Sequence, residues 1–104
     1  MRYMVHFVVT PEAGTKIEAA PGGPGPFIGR VVERFKPEQM YLSPARREGW
    51  MVTKLNDEAD MAELMITLSG FAGAYPEFTP ITTLQEFPGV VSKAIPNATR
   101  LIKG

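Results

Sequence analysis

The sequence predicts one α+β domain of the order β-α-β-β-α-β, the ferredoxin-like split βαβ arrangement. Three observations predict it: strand-like runs at both ends of this order, two amphipathic helical repeats, and a hairpin pattern between the repeats. Such a fold has a four-stranded antiparallel sheet with two helices on one face. At 104 residues and 44% hydrophobic content, we expect a single domain over residues 1–104 with one core.

The first strand is predicted over residues 2–10, which are dense in β-branched and aromatic side chains. Alternation places two apolar sets on opposite faces, with Tyr3, Val5, Phe7 and Val9 on one and Met4, His6 and Val8 on the other. The alternation is compatible with either set facing the helices.

Residues 11–26 change composition to Gly, Pro and Ala, and we expect a Gly/Pro-rich loop with no more than a helical turn over residues 15–20. Its glycines suggest a phosphate cradle, but Gly23-Pro24-Gly25 supplies only G-x-G. Pro24 and Pro26 also lack the N–H groups that a cradle needs. The loop is therefore interpreted as a bent linker or as a lid over the cleft between sheet and helices.

The first helix is predicted over residues 27–36, where Ile28, Val31, Val32 and Phe35 recur at helical spacing between charged residues. Pro26 suits its first turn and Pro37 ends it. Two strand-like runs follow at residues 39–43 and 50–55. The turn between them contains Pro44 and Gly49, which predicts a β-hairpin.

A second helix is predicted after Asn56 or Asp57, either of which can cap it, with Gly70 and Gly73 closing it. Its apolar repeat is Met61, Leu64, Met65 and Leu68. The last strand is predicted over residues 75–84, and Pro76 and Pro80 place it at a sheet edge because each lacks a ladder donor. A short helix is expected over residues 90–95.

The predicted strands are apolar on both faces. In the hairpin, Met40 and Leu42 alternate with Tyr41, and Trp50 alternates with Met51. An antiparallel sheet with one face in solvent should instead carry polar residues on that face. A second copy of the same sheet would cover the apolar surface, so we expect a homodimer with its two sheets packed face to face.

Composition excludes several classes of function. Eleven basic residues balance eleven acidic ones, so no overall field attracts nucleic acid or an anionic membrane. No cysteine and only one histidine are present, and we expect no metal site and no cofactor. The apolar run at the N-terminus is interpreted as a strand rather than a signal peptide, and we expect a soluble, cytoplasmic protein.

The element order, the doubly apolar strands and the segments SPARREGWMV, DMAELM and EFTPI resemble the dimeric α/β-barrel superfamily. The similarity is to small muconolactone-isomerase-like bacterial proteins, most without an assigned activity, and it covers residues 1–84. It implies a dimer. It also implies that small organic molecules, often aromatic or polyketide-like, or haem, bind in the cleft between sheet and helices. No catalytic motif comes with the resemblance.

Two groups of residues are candidates for a site. His6 is the side chain suited to proton transfer near neutral pH, although a strand histidine is also a common packing or interface residue. A polar and aromatic group surrounds the hairpin turn: Tyr41, Arg46, Arg47 and Trp50. Arginine can hold a carboxylate and the aromatic rings can stack on a ligand. Phe78 and Glu77 of the last strand could join this pocket. The alternative is a charged solvent-exposed turn beside interface aromatics.

Two functional hypotheses follow. The first is a cofactor-independent isomerase, cyclase or oxygenase acting on an apolar or aromatic acid, with His6 moving the proton and a hairpin arginine holding the carboxylate. The second is a non-catalytic dimeric protein that binds a small organic ligand. We favour the second, because the enzyme hypothesis depends on fold analogy.

Overall fold

A computed structural model describes residues 1–104 as an α+β structure with one four-stranded antiparallel sheet and four helices. The strands are β1 (Arg2–Val8), β2 (Gln39–Leu42), β3 (Glu48–Lys54) and β4 (Glu77–Ile81). The helices are α1 (Pro11–Ala19), α2 (Gly25–Phe35), α3 (Glu58–Ala72) and α4 (Phe87–Lys103).

The sheet has the strand order β2-β3-β1-β4, and every neighbouring pair is antiparallel. This arrangement is compatible with a ferredoxin-like fold. In β1, Val5 lies between Met51 of β3 and Phe78 of β4. β4 pairs with β1 alone and forms one edge of the sheet, as Pro76 and Pro80 predicted.

The register decides which face of β1 packs against the helices. Val5 and Phe7 are buried in the core together with Met51 of β3, Val31 of α2 and Leu64 of α3. Leu55 and Leu68 complete this cluster. The alternate side chains of β1, Met4, His6 and Val8, therefore lie on the opposite face.

The predicted loop over residues 11–26 is instead a helix followed by a turn. α1 begins at Pro11, and the Thr10 side chain accepts a hydrogen bond from the Ala13 N–H at 3.2 Å. Proline at the first helical position and Glu12 in the first turn favour this start. The prediction failed because α1 has a short, weak apolar repeat, so its capping signals were outweighed by the glycines and prolines that follow.

The two core helices agree with the sequence. α2 carries Val31 into the core and ends at Lys36, whose φ of 46° is left-handed. Asp57 caps α3 by accepting a hydrogen bond from the Asp60 N–H at 2.8 Å, and Gly73 ends α3 with a φ of 76°. Gly70 lies inside α3 rather than at its end.

The C-terminal helix is longer than expected. Only residues 90–95 were predicted to be helical, yet α4 runs for 17 residues and includes Pro96. The structure therefore has four helices where two on one face, and a short C-terminal one, were expected. None of the residues of α4 is buried. No helix in the chain has both the length and the continuous apolar character that a membrane span requires.

Candidate functional site

A cavity of about 390 Å³ lies between the helices and one end of the sheet. Apolar residues from five elements and the segment before α1 line its inner part: Phe7, Val9, Ile17, Ile28, Leu42 and Phe71. Residues 43–47, between β2 and β3, and Glu48 at the start of β3 form its polar rim. We call this the helix–sheet cavity. It combines an apolar interior with polar groups on one side.

Arg47 ties the rim of the cavity to α1. Its Nε and Nη2 atoms donate hydrogen bonds to the two carboxylate oxygens of Glu18, at 2.8 and 3.0 Å, and its Nη1 donates to the Pro11 carbonyl at 3.1 Å. The Arg47 carbonyl accepts a hydrogen bond from the Val9 N–H at 2.7 Å. This two-pronged geometry fixes the orientation of Arg47.

A glycine makes room for this contact. Gly14 is buried in α1, and a Cβ atom at that position would lie 2.5 Å from Cδ of Arg47 and 2.6 Å from its Nη1. The arginine therefore lies directly on the helix backbone. Gly49 of β3 has a similar role behind the cavity wall, since its Cβ would lie 2.7 Å from the side chains of both Phe7 and Leu42, which line the cavity.

The rim segment is held by a serine turn. The Ser43 hydroxyl oxygen accepts hydrogen bonds from the Ala45 N–H at 3.1 Å and the Arg46 N–H at 3.0 Å. Arg46 lines the cavity, is exposed to solvent, and its guanidinium has no ion-pair partner within the chain. The cavity thus has one arginine that is already paired and one that is free.

The ion pair shifts the pKa values of both Glu18 and Arg47. Hydrogen bonds from Arg47 lower the pKa of Glu18 below its usual value, and the same contact raises the pKa of Arg47. Glu18 is therefore an anion at neutral pH and neutralises Arg47. An incoming anion would be attracted to Arg46 rather than to Arg47.

A second polar group lies on the other face of the sheet. The His6 ring stacks on Trp50, with 5.0 Å between ring centroids and 9° between planes. Its Nε2 lies 3.0 Å from a carboxylate oxygen of Glu48. Trp50 is the cross-strand partner of both His6 and Tyr41. We call this face of the sheet the outer sheet face. Its apolar and aromatic residues are Met4, His6, Val8, Tyr41, Trp50, Val52 and Ile81, and the same register places the polar residues Arg2, Gln39, Glu48, Lys54, Glu77 and Thr79 on it. The face is therefore apolar only in part, whereas the strand pattern predicted an apolar face.

The structure separates the predicted site residues into three places. Arg46 and Arg47 line the helix–sheet cavity. His6, Tyr41 and Trp50 belong to the outer sheet face and are absent from the cavity lining. Phe78 packs against the core from the edge strand, where its ring meets Tyr3 edge-on at 6.2 Å, and Glu77 lies opposite His6. The polar and aromatic hairpin group is therefore not one pocket.

Sequence reasoning missed the contribution of α1 and the end of α3 to the cavity. Gly14, Ile17 and Glu18 come from the segment predicted to be a loop, and Phe71 lies beyond the predicted apolar repeat of α3. The Thr10-Pro11-Glu12 start signal could have found α1. Nothing in the sequence pairs Glu18 with Arg47.

The side chains present do not form a metal site, because no three His, Asp or Glu residues are close enough together to hold an ion. A comparison with protein-family models gave no match, and a comparison with curated proteins gave none either.

Proposed function

We propose that this protein is a homodimer that binds a small organic acid in the helix–sheet cavity, with the apolar part of the ligand inside and its carboxylate at Arg46. The observation that carries the proposal is the free guanidinium of Arg46 on the rim of an apolar cavity. Ligand sites commonly combine an apolar lining with a few polar groups that fix orientation.

The size of the cavity limits the ligand. A volume of about 390 Å³ is at the lower end of the range for small-molecule sites, roughly 300 to 1,000 Å³. A single aromatic ring or a short alkyl chain with a carboxylate fits this space. The half-buried side chains of Ile17, Ile28 and Phe71 supply apolar surface for such a ligand. Phe71 is held in place by stacking on Phe27, with 3.9 Å between the ring centroids.

Binding is favoured over catalysis by the position of the one histidine. The enzyme hypothesis needs His6 within reach of a ligand in the cavity, but His6 lies on the outer sheet face and does not line the cavity. Its Nε2 lies 3.0 Å from a carboxylate oxygen of Glu48, which does line the cavity. Its imidazole is stacked on Trp50 and 28% exposed at its side chain. These contacts are typical of a packing residue, so His6 belongs with the proposed dimer interface.

The proposed dimer forms through the outer sheet face. This face carries Met4, Trp50 and Val52 at its centre, while Val8 and Tyr41 are 50% and 60% exposed. A second copy offers the same surface, with apolar residues at its centre and polar residues such as Lys54 and Glu77 around them, and closes the interface by two-fold symmetry. The arrangement also fits the resemblance to the dimeric α/β-barrel superfamily.

Calorimetric titration tests the ligand proposal. Phenylacetate and hexanoate serve as probes, with phenylacetamide and hexanamide as uncharged partners of the same shape. We expect the acids to bind more tightly than the amides. Arg46→Gln should weaken acid binding by about 10-fold to 100-fold, since a hydrogen bond to a charged group contributes about 1.5–3 kcal/mol.

Arg30→Gln is the matched control, because Arg30 is an exposed arginine of α2 outside the cavity lining. It should leave acid binding unchanged. Equal binding of acids and amides, or equal losses in the Arg46→Gln and Arg30→Gln variants, would contradict the assignment of Arg46. Absence of binding by all four probes would contradict the ligand class.

A further inference from the structure

The C-terminal helix α4 stands away from the rest of the protein. No residue of α4 is buried, and the chain measures 57 × 28 × 26 Å with a radius of gyration of 17.3 Å. A compact chain of this length would have a radius of gyration of about 13 Å. At 1.5 Å per residue, α4 is about 25 Å long, which accounts for the elongation.

The start of α4 is fixed to the body. The Thr83 hydroxyl donates to the Glu86 carboxylate at 2.8 Å, and its oxygen accepts from the Glu86 N–H at 3.1 Å. Arg2 of β1 lies 3.6 Å from the same carboxylate. These contacts hold the start of α4 beside β1, and the rest of the helix extends from there without a buried residue.

The helix nevertheless has a continuous apolar face. At 100° per residue, eight apolar side chains fall within one stripe, and several are among the most exposed in the molecule. The stripe consists of Phe87, Val90, Val91, Ala94, Ile95, Ala98, Leu101 and Ile102. Leu101 and Ile102 are 83% and 85% exposed. Such a stripe is typical of a helix that packs against something.

Charge distinguishes α4 from the body. Residues 87–104 contain the cations Lys93, Arg100 and Lys103 and no acidic residue, whereas residues 1–86 contain eight basic and eleven acidic residues. The segment therefore carries a formal charge of +3 and the body −3. The acidic body of a second copy is therefore complementary in charge to this basic helix.

We propose that α4 is an exchanged arm: in the homodimer, the apolar stripe of each α4 packs on the body of the partner subunit beside the paired outer sheet faces. This inference rests on the homodimer proposed above. Two uncovered surfaces with apolar residues on one chain, the extension of α4 without a buried residue and opposite charges all point to a second copy as the occupant. Reciprocal exchange is a common way for identical chains to close a dimer.

The proline in α4 is consistent with packing of the helix against a curved protein surface. Pro96 lies on the polar side of α4 and has no N–H to donate to the Ser92 carbonyl. Proline inside a helix is a common cause of bending, and a bend that opens the polar side would make the apolar stripe concave. A concave stripe suits the curved surface of a protein better than the plane of a bilayer. The acidic body would also be repelled by an anionic membrane.

The test compares dimer dissociation constants of full-length variants by sedimentation. Ile95→Glu and Leu101→Glu place a charge in the stripe and should raise the dissociation constant at least about tenfold. Ser92→Glu adds the same charge outside the stripe and should change it little. Because α4 contributes nothing to the core, all three variants should remain folded, and Ser92→Glu should unfold at the wild-type temperature.

The outcomes separate the arm from the dimer. A dimer that is equally tight in Ile95→Glu, Leu101→Glu and Ser92→Glu would overturn the arm and leave the sheet-face dimer standing. A wild-type monomer at micromolar concentration would overturn both, without affecting the ligand titration. Co-sedimentation of a monomer with vesicles of phosphatidylserine and phosphatidylcholine, abolished by Leu101→Glu, would identify a membrane as the occupant and overturn the proposal.

Discussion

Two glycines set the shape of the cavity at the residue scale. Gly14 allows Arg47 to lie on the backbone of α1, and Gly49 allows Phe7 and Leu42 to meet over β3. Because neither glycine has a Cβ atom, Arg47 approaches the backbone at Gly14, and Phe7 and Leu42 approach the backbone at Gly49, more closely than a methyl group would allow. This tightness predicts opposite effects for alanine at a packed and at an open glycine.

Gly49→Ala should destabilise the protein by about 1–3 kcal/mol, because the added methyl overlaps Phe7 and Leu42 in a packed region. Gly29→Ala is the control. Gly29 lies in α2 with no atom within 4 Å of an added Cβ, so the substitution should stabilise by up to about 1 kcal/mol through helix propensity. Urea unfolding measures both values. An unchanged free energy of unfolding in Gly49→Ala would contradict the close packing of Phe7 and Leu42 against Gly49.

The Glu18–Arg47 pair predicts a pH dependence. Its hydrogen bonds lower the pKa of Glu18 from the usual 4.5, so the pair stabilises the folded state above that pH. The stabilisation is lost as pH falls through the lower folded pKa. In an NMR titration, Arg47→Gln should return the pKa of Glu18 toward 4.5. The pKa of Glu38, lowered by Arg2, should not change. An unchanged Glu18 pKa in Arg47→Gln would contradict the pairing.

Elements with a strong repeat or a clear cap could be predicted from the sequence. α2, α3 and the hairpin lie within a few residues of their predicted bounds, because apolar spacing, Asp57 and Gly73 act locally. α1 has the local start signal Thr10-Pro11-Glu12 but only a short apolar repeat after it, and its contact with the rest of the protein through Arg47 and Glu18 joins residues that are distant in sequence. Of the predicted site residues, only Arg46 and Arg47 line the cavity. The other lining residues come from elements that are distant in sequence, and the sequence pattern does not indicate which of them meet.

The packing of α3 against the core gives a prediction at the scale of a single element. Leu68 is fully buried in the core, whereas Ile66, two residues earlier on the same helix, is 63% exposed. Leu68→Ala should destabilise by about 2–5 kcal/mol because it leaves a cavity. Ile66→Ala removes a side chain of the same size and should change stability by less than about 1 kcal/mol. Equal effects in thermal unfolding would contradict the described packing of α3.

At the scale of the whole molecule, the outer sheet face predicts association. Tyr41→Glu should dissociate the dimer, because it places a charge on the outer sheet face where Tyr41 is 60% exposed. Tyr75→Glu makes the same change at a 79% exposed residue outside that face and should leave the dimer intact. Light scattering should give twice the 11.4 kDa chain mass for wild type and Tyr75→Glu. Monomeric wild type would contradict this interface.

We propose separate tasks for the two faces of the sheet: the helix side would bind a ligand in the cavity, and the outer side would join two copies. His6 belongs to the second task, because it packs between Trp50 and Glu48. A ligand should therefore affect one face and leave the other unchanged.

An NMR titration of backbone amides with phenylacetate tests whether the ligand binds on the helix side of the sheet alone. Shifts should be confined to the residues of the helix–sheet cavity, above all residues 43–47, Gly14 and Phe71. The amides of Met4 and Trp50 on the outer sheet face should not shift. Shifts centred on His6 and Trp50, or no shifts at millimolar phenylacetate, would show that the cavity is not the ligand site.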